Sequence, residues 1–595
     1  MAGMVYVVSL GTLPPADFTF CNGEIKSVDP AQVTGQPEGR IVWALFEGLC
    51  RLDPETLEPI PGMAESWTLS DDGLTYTFRF RANALWSDGS PVTADDFHYS
   101  YRRVLHPETA CEYAGELWYI EGARKYTSGQ VELGDPVEIE LEEQPRGALP
   151  HARGVTLRGR LESVEGRDGE EPIYTVAVDG RMRRFQRGSR GDGIEDYRWL
   201  LYDFEEVGVE VLDPETLRIT LEHPTPYFLS LTAFYPFSPV NRDCVDRYGS
   251  PDWTKPENIV SNGPFVLQFR RIRDRVRLAK NPHYWDSENV HLETIDALAV
   301  SAATTMLNLY MTGVADWIPS VPVEAAPVLM ERPEGDFRPA PYLATYYYML
   351  NTADPALADR RVRRALHLAI DREELVTKVT RSGQVPAYSI VPDEITRYMP
   401  YTPQHAPPRD VEAAQRLMAE AGYPGGRGFP RIEILYNDLE AHRTIAELIQ
   451  SQWTNALGIE TRLAAQEWGA YLSSRQTGNY QVARAGWIGD YVDPNTFLKM
   501  FTTGSPLNQT RWSHGEYDAL VDAARRESAP ARRLALMEEA EAILMDELPV
   551  IPLYFYVSQN MVRPYVEGFY HNIQDIHPLQ SIRIDPQRKA EILGP

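Results

Sequence analysis

The chain has 595 residues and a formal charge of −27, from 58 Lys and Arg against 85 Asp and Glu. With 43% hydrophobic and 11% aromatic residues it has the material for several large domains, which excludes a disordered or low-complexity chain. So acidic a balance repels a phosphate backbone and an anionic bilayer, which argues against nucleic-acid binding and against general adhesion to lipid.

In chain order, Tyr76-Thr77-Phe78-Arg79-Phe80 alternates as a strand after an Asp71-Asp72-Gly73 turn. Thr93 to Leu105 reads as a helix, with Thr93 as N-cap and Asp96 closing a variant capping box. From about 131 to 205 the helical period disappears. Val137, Ile139 and Leu141 alternate with glutamates, and Tyr174, Val176 and Val178 lead into Asp179-Gly180, a type I′ hairpin signal. The region reads as a small all-β insertion, acidic near Asp135–Glu143 and basic at Arg181, Arg183, Arg184, Arg187 and Arg190. The basic tract reads either as a solvated strand face or as a docking patch. Leu-Asp-Pro-Glu-Thr-Leu occurs at Leu52–Leu57 and Leu212–Leu217, and reads as two similar hairpin turns rather than a repeat.

Further on, Arg360–Thr380 is an amphipathic helix candidate. Helices are also expected at Asp410–Ala421, Ala441–Leu457 (closing at Gly458), Glu516–Glu527 and Ala531–Asp546, then a strand at Val550–Val557. Helices interleaved with short strands imply an α/β chain.

Enzyme signatures are missing. No glycine precedes any lysine, so there is no Walker A loop, and GxGxxG, HExxH and GxSxG do not occur. The histidines are scattered, without metal-ligand spacing, and no cofactor or metal is implied. Asp71-Asp72 and Asp95-Asp96 read as turn and cap residues, not as acid/base pairs. Four cysteines, Cys21, Cys50, Cys111 and Cys244, form no CxxC pair and read as buried free thiols, with one or two bridges left open. No run reaches the ~18–20 apolar residues of a spanning helix. Met1 to Leu13 carries no Lys or Arg, so the chain is expected to be cytoplasmic or to have lost an export signal.

The informative segment is Gln466–Phe497, QEWGAYLSSRQTGNYQVARAGWIGDYVDPNTF. Arg475, Arg484 and Asp490 stand there among Trp468, Tyr480, Trp487 and Tyr491. Charges in such surroundings need partners. Either they pair with one another, or a zwitterionic guest such as a free peptide supplies the missing ions.

Matching phrases run along the chain: Ser27-Val28-Asp29-Pro30, Pro61–Trp67, Trp86–Phe97, Ser261-Asn262-Gly263-Pro264-Phe265, Asn281–Trp285, Thr345–Tyr348, Arg361–Leu366 and the QEW…VARAGWIGDY signature. In these the chain resembles the solute-binding proteins of peptide and nickel ABC transporters (family 5), over nearly everything outside 131–205. The resemblance implies a type II periplasmic-binding-protein fold: two lobes around a hinge and an additional lobe carrying the β insertion. One binding lobe would be 1–46, 242–297 and 556–595, the additional lobe 47–241, and the other binding lobe 298–555. It implies a monomeric, non-enzymatic receptor in the periplasm or on the outer face of the cytoplasmic membrane. That receptor would take an oligopeptide and hand it to ABC permease subunits.

Residue by residue, the resemblance gives Asp490 the peptide α-ammonium, and Arg484 and His442 the terminal carboxylate of shorter and longer peptides. Arg475 lines the same region, Trp468, Trp487 and Tyr113 form walls, and Gly486 pairs with the peptide main chain. Asn262 and Gly263 join the ligand-binding set. Where family members often carry acidic pocket residues this chain has Thr34 and Ala303. Another solute (a dipeptide, murein peptide, opine or metal chelate) and, less well, a hydrolase using scattered carboxylates are the other readings.

Overall fold

The computed structural model describes residues 14–141, 156–166, 171–189 and 193–593. The readings on Met1–Leu13, Glu142, Glu143 and Arg190 lie outside the described residues. Two six-stranded sheets carry the binding lobes. The first runs Phe265–Arg271, Arg275–Lys280, Thr294–Leu298, Phe18–Cys21, Trp317–Ile318, Met561–Val562, with Phe18–Cys21 parallel to Thr294–Leu298. It thus takes in a strand, Trp317–Ile318, that lies beyond residue 297.

The second sheet runs Val385–Pro386, Val550–Ser558, Ala340–Leu350, Val482–Ile488, Ile432–Asn437, Thr461–Gln466. Ala340–Leu350 is its hub and is apolar almost throughout because both faces are covered. Side chains alternate with period two. Leu343, Tyr347 and Met349 enter the core under Gly515–Arg526 and Pro530–Glu547, and Tyr346, Tyr348 and Leu350 enter the core under Arg360–Leu368 and Glu440–Leu457.

Two adjacent stretches join the sheets. Ser558 ends a strand of the second sheet and Met561 begins one of the first; beside them Phe337 bridges Met561 and Ala340 stands opposite Ser558. Crossings this short are hinge-like, because few dihedrals separate two rigid sheets.

The chain between the first sheet's strands builds a four-stranded antiparallel sheet (Val209–Asp213, Thr216–Thr220, Thr75–Phe80, Ala64–Leu69) packed on the helix Ala94–Leu105. That helix carries the expected capping box between Thr93 and Asp96. The two Leu-Asp-Pro-Glu-Thr-Leu phrases are both hairpin turns. The four cysteines are free, Cys21, Cys50 and Cys244 buried and Cys111 half-buried.

The insertion is a six-stranded sheet with its own core of Val137, Ile139, Leu161, Val176, Val178 and Phe185. Asp179 and Gly180 both have positive φ, 48° and 74°, as a type I′ turn needs. It is fastened to the helix Ala94–Leu105 by Glu138, fully buried, which accepts from Arg102 at 2.9 Å and from the Tyr126 hydroxyl at 3.0 Å. The basic tract is a paired strand face: Arg183 meets Glu195, Arg184 meets Glu165 at 3.2 Å, and Arg187 lies 5.6 Å from the rings of Tyr197 and Trp199.

The expected Arg360–Thr380 helix is interrupted. An α-helix spans Arg360–Leu368, and Asp371 starts a new turn by accepting from Glu374 N at 2.9 Å. A carboxylate that caps three residues ahead resets the chain even where the apolar period runs on.

Candidate ligand-binding site

The Val482–Ile488 strand is paired along its whole length on one side only. Val482 to Ile488 stand opposite Leu350 to Ala344, whereas on the other side only Val482 and Ala483 meet Ile434 and Leu435. From Arg484 to Ile488 that edge has no strand neighbour among the described residues. An extended chain can complete such an edge with main-chain hydrogen bonds.

Arg484 stands at one end of this edge. Its Nη2 donates to the Tyr556 hydroxyl at 3.1 Å and its Nη1 to Asn437 Oδ1 at 3.5 Å, and its guanidinium lies 5.0 Å from the Tyr346 ring centre. Nε is buried without a hydrogen-bond partner. Burial works against the charge, but the phenol oxygens of Tyr556, Tyr346, Tyr471 and Tyr554 outweigh it and hold the guanidinium fully protonated. Among the described residues no carboxylate comes within ion-pair distance of Arg484.

Asp490 stands two residues past the strand. Its Oδ2 accepts from Thr496 Oγ1 at 3.4 Å and its backbone N donates to the same oxygen at 3.1 Å. Burial, with the charge of Glu116 added, pushes its carboxyl up to about 7; Lys499 and the Thr496 hydroxyl pull the other way. Lys499 is already engaged, with its Nζ 3.2 Å from Glu116 Oε1. Among the described residues Asp490 therefore has no ion-pair partner, and the internal Arg–Asp pair that the sequence allowed is not formed.

Arg475 shares a face of the Trp468–Thr477 helix with Trp468 and Tyr471. Its Nε donates to Gln509 Oε1 at 2.9 Å and its Nη1 to the Tyr471 hydroxyl at 3.2 Å; that hydroxyl in turn donates to the carbonyl of Arg484. Trp468 is 51% exposed and stacks on Tyr471, so it stands ready to cover something. Trp487 is half-buried, its Nε1 3.4 Å from Thr496 Oγ1. A Cβ at Gly486 would come within 2.9 Å of the Tyr556 hydroxyl, so glycine leaves room for the Tyr556–Arg484 contact as it stands. Tyr113, from the additional lobe, packs edge-on against Phe234 and Tyr235, and the charge of Asp490 adds to burial in raising its phenol to about 12. The site therefore lies between lobes.

The profile of the bacterial extracellular solute-binding proteins, family 5 (middle), matches residues 58–509. The chain belongs to this family. It is 31% identical to the periplasmic murein peptide-binding protein of Escherichia coli over 93% of this chain and 90% of that one. It is 32% identical to the periplasmic oligopeptide-binding protein of the same organism, over 92% and 88%. Among solved structures, the Haemophilus influenzae oligopeptide-binding protein in complex with the peptide RPPGFSPFR superposes with a TM-score of 0.70 at 28% identity, covering 95% of this chain and 98% of that one. The two-lobed fold is thus the type II periplasmic-binding architecture, and this family 5 chain is a binding protein rather than an enzyme. No helix among the described residues is long and apolar enough to cross a membrane.

Two of the expected ligand residues do not join the cluster of this family 5 protein. Asn262 is fully buried and exchanges hydrogen bonds with the backbone of Glu47 at 3.1 and 2.9 Å; Gly263 N donates to Leu45 O at 2.8 Å, and a Cβ there would strike Leu45 at 2.5 Å. These contacts hold the end of the Gln36–Leu45 helix to the first sheet. His442 is near the site but uncharged: burial and the neighbouring Arg484 push its imidazole down to about 3, and Nδ1 bonds the Tyr346 hydroxyl at 3.2 Å. Sequence reasoning missed Tyr556, Glu116 and Lys499. Only Lys499 carried a usable signal, as a rare lysine close behind the signature.

Proposed function

We propose that this protein captures short peptides with free termini in the cleft between its lobes and presents them, outside the cytoplasmic membrane, to the permease of an ABC importer. The observation that carries the reading is a half-buried guanidinium and a half-buried carboxyl, Arg484 and Asp490, neither of them in an ion pair among the described residues, at the two ends of an unpaired strand edge. A peptide supplies the three missing parts: an ammonium for Asp490, a carboxylate for Arg484 and a main chain for the edge between. Charge-assisted hydrogen bonds are worth roughly 1.5–3 kcal/mol each, so each end decides affinity by a factor of ten or more. Main-chain pairing adds affinity with no demand on side chains.

Six residue steps separate the two groups. At ~3.3 Å per residue their Cα atoms are at most about 20 Å apart, the span of an extended peptide of about six residues. Arg475 and the neutral His442 flank the Arg484 end and offer further donors to carboxylates of longer or shorter ligands. The names of the relatives point to peptides, and one of them to murein peptides.

Native mass spectrometry of the protein as purified tests the reading. Bound species should be peptides of two to six residues released on denaturation, with diaminopimelate and D-alanine residues marking the murein case. A bound bile acid, metal chelate or other non-peptide would contradict it.

A further inference from the structure

One ion pair beside Asp490 links two parts of the molecule that close on the cleft. Lys499, in the turn Lys499–Phe501, meets Glu116, in the turn Ala114–Leu117 of the additional lobe, at 3.2 Å. The ammonium also lies 5.1 Å from the Tyr491 ring centre. Around it the lobes are packed by aromatic contacts: Tyr227 and Tyr491 stack at 4.2 Å, and the hydroxyls of Tyr119 and Tyr491 are 3.2 Å apart. Glu116 Oε1 faces Lys499, while its Oε2 is buried with no hydrogen-bond partner. Asp490 and Lys499 each feel the other's charge and that of Glu116. With Asp490 ionised, as a bound ammonium would hold it, the three together carry one net negative charge, and Glu116 Oε2 is an idle acceptor oxygen.

We infer that Glu116 and Lys499 are specificity-determining residues for the ligand's N-terminal end, with Glu116 Oε2 a second acceptor for the ammonium and Lys499 holding the pocket to a single negative charge. The inference rests on the peptide reading above. Because these groups are withdrawn from solvent, a charge left unbalanced among them is costly. A monocationic N-terminus brings the four groups to neutrality. A ligand whose first residue bears a second ammonium leaves an uncompensated positive charge and is rejected. Discrimination of this kind comes from a built-in repulsive element, here Lys499, as much as from attraction.

Isothermal titration calorimetry with trialanine, N-acetyl-trialanine and 2,4-diaminobutyryl-alanyl-alanine separates the possibilities. Wild type should bind trialanine at least tenfold more tightly than either of the other two. Lys499→Met raises the pocket to two negative charges and should shift the ratio at least tenfold toward the diaminobutyryl peptide. Glu116→Gln/Lys499→Met restores the single charge and should restore the wild-type preference, which a merely structural role for the ion pair would not do. Thermal denaturation of each variant confirms that it is folded. An unchanged ratio in Lys499→Met, with trialanine still bound more tightly than its acetylated form, overturns the inference and leaves the peptide reading standing. Equal binding of trialanine and N-acetyl-trialanine by wild type overturns both.

Discussion

A carboxyl group kept short of cations in a buried place is uncomfortable, and Asp490 shows what that implies. Its ordinary value of 3.8 is raised to about 7, mainly by burial and then by Glu116. The fold therefore favours the neutral acid. That preference is fully present below the unfolded value and is lost as pH rises through about 7, so the empty protein loses stability over that window. Glu541, also raised to about 7 by burial, acts in the same direction among its own partners Ile390, Val391, Tyr401 and Gln404. In Asp490→Asn the Asp490 part disappears. Thermal melts from pH 5 to pH 8 should show the variant gaining on wild type as pH rises, and calorimetry should show at least a tenfold loss for a free tripeptide with little change for its N-acetylated form. Equal losses for both peptides would remove Asp490 from the ammonium site. That Asp490 and Arg484 need partners was legible in sequence because they stand among aromatics, while their roles toward a ligand came only from the resemblance. Glu116, 374 residues before Asp490, and Tyr556 were not, because only the fold brings them there.

The unpaired edge of Val482–Ile488 is what turns two charges into a peptide site. Its neighbour Ala340–Leu350 covers all seven residues, while Ile432–Asn437 reaches only the first two. Gly486 lies in the open part and leaves space for the Tyr556 hydroxyl. Gly486→Ala should push Tyr556 off Arg484, weaken binding of peptides with a free carboxylate about tenfold or more, and cost about 1–3 kcal/mol in denaturant unfolding, as overpacking does. A variant with unchanged affinity would show that the Tyr556–Arg484 contact does not matter to the ligand. Local signals served well where caps decide: Thr93 and Asp96, Asp410, and Gly458 end or start helices as their types dictate. They failed at Arg360–Thr380, where the apolar stripe continues through a break made by one capping aspartate, Asp371. Strand order, and with it the open edge, has no local signature at all.

At the scale of the molecule, the short crossings near Phe337–Ala340 and Ser558–Met561 allow the lobes to move as bodies, and the aromatic contacts around Tyr491 show where they meet. The β insertion has a core of its own. Its last strand and the turn after it nevertheless feed the main core: Leu201 and Phe204 are buried there, Phe204 packing 5.1 Å from Tyr126. Removing residues 131–205 should therefore leave peptide affinity within about threefold but lower stability by about 3–5 kcal/mol, the usual cost of losing a buried aromatic. Phe204→Ala in the intact chain should reproduce that loss in chemical denaturation. A large loss of affinity on deletion would place the insertion in the cleft. The insertion's β character and its hairpin at Asp179-Gly180 were readable from alternation and turn chemistry. Its attachment through Glu138 to Arg102 was not, since a glutamate within an alternating acidic strand reads as solvent-facing.

The measurement closest to the centre of this account is calorimetric titration with four versions of one tripeptide: free, N-acetylated, C-amidated and blocked at both ends. If Asp490 and Arg484 wait for opposite charges, each single block weakens binding at least tenfold and the double block weakens it further still. Equal affinity for all four would mean that the two side chains find their counter-ions within the protein, and the account would be wrong.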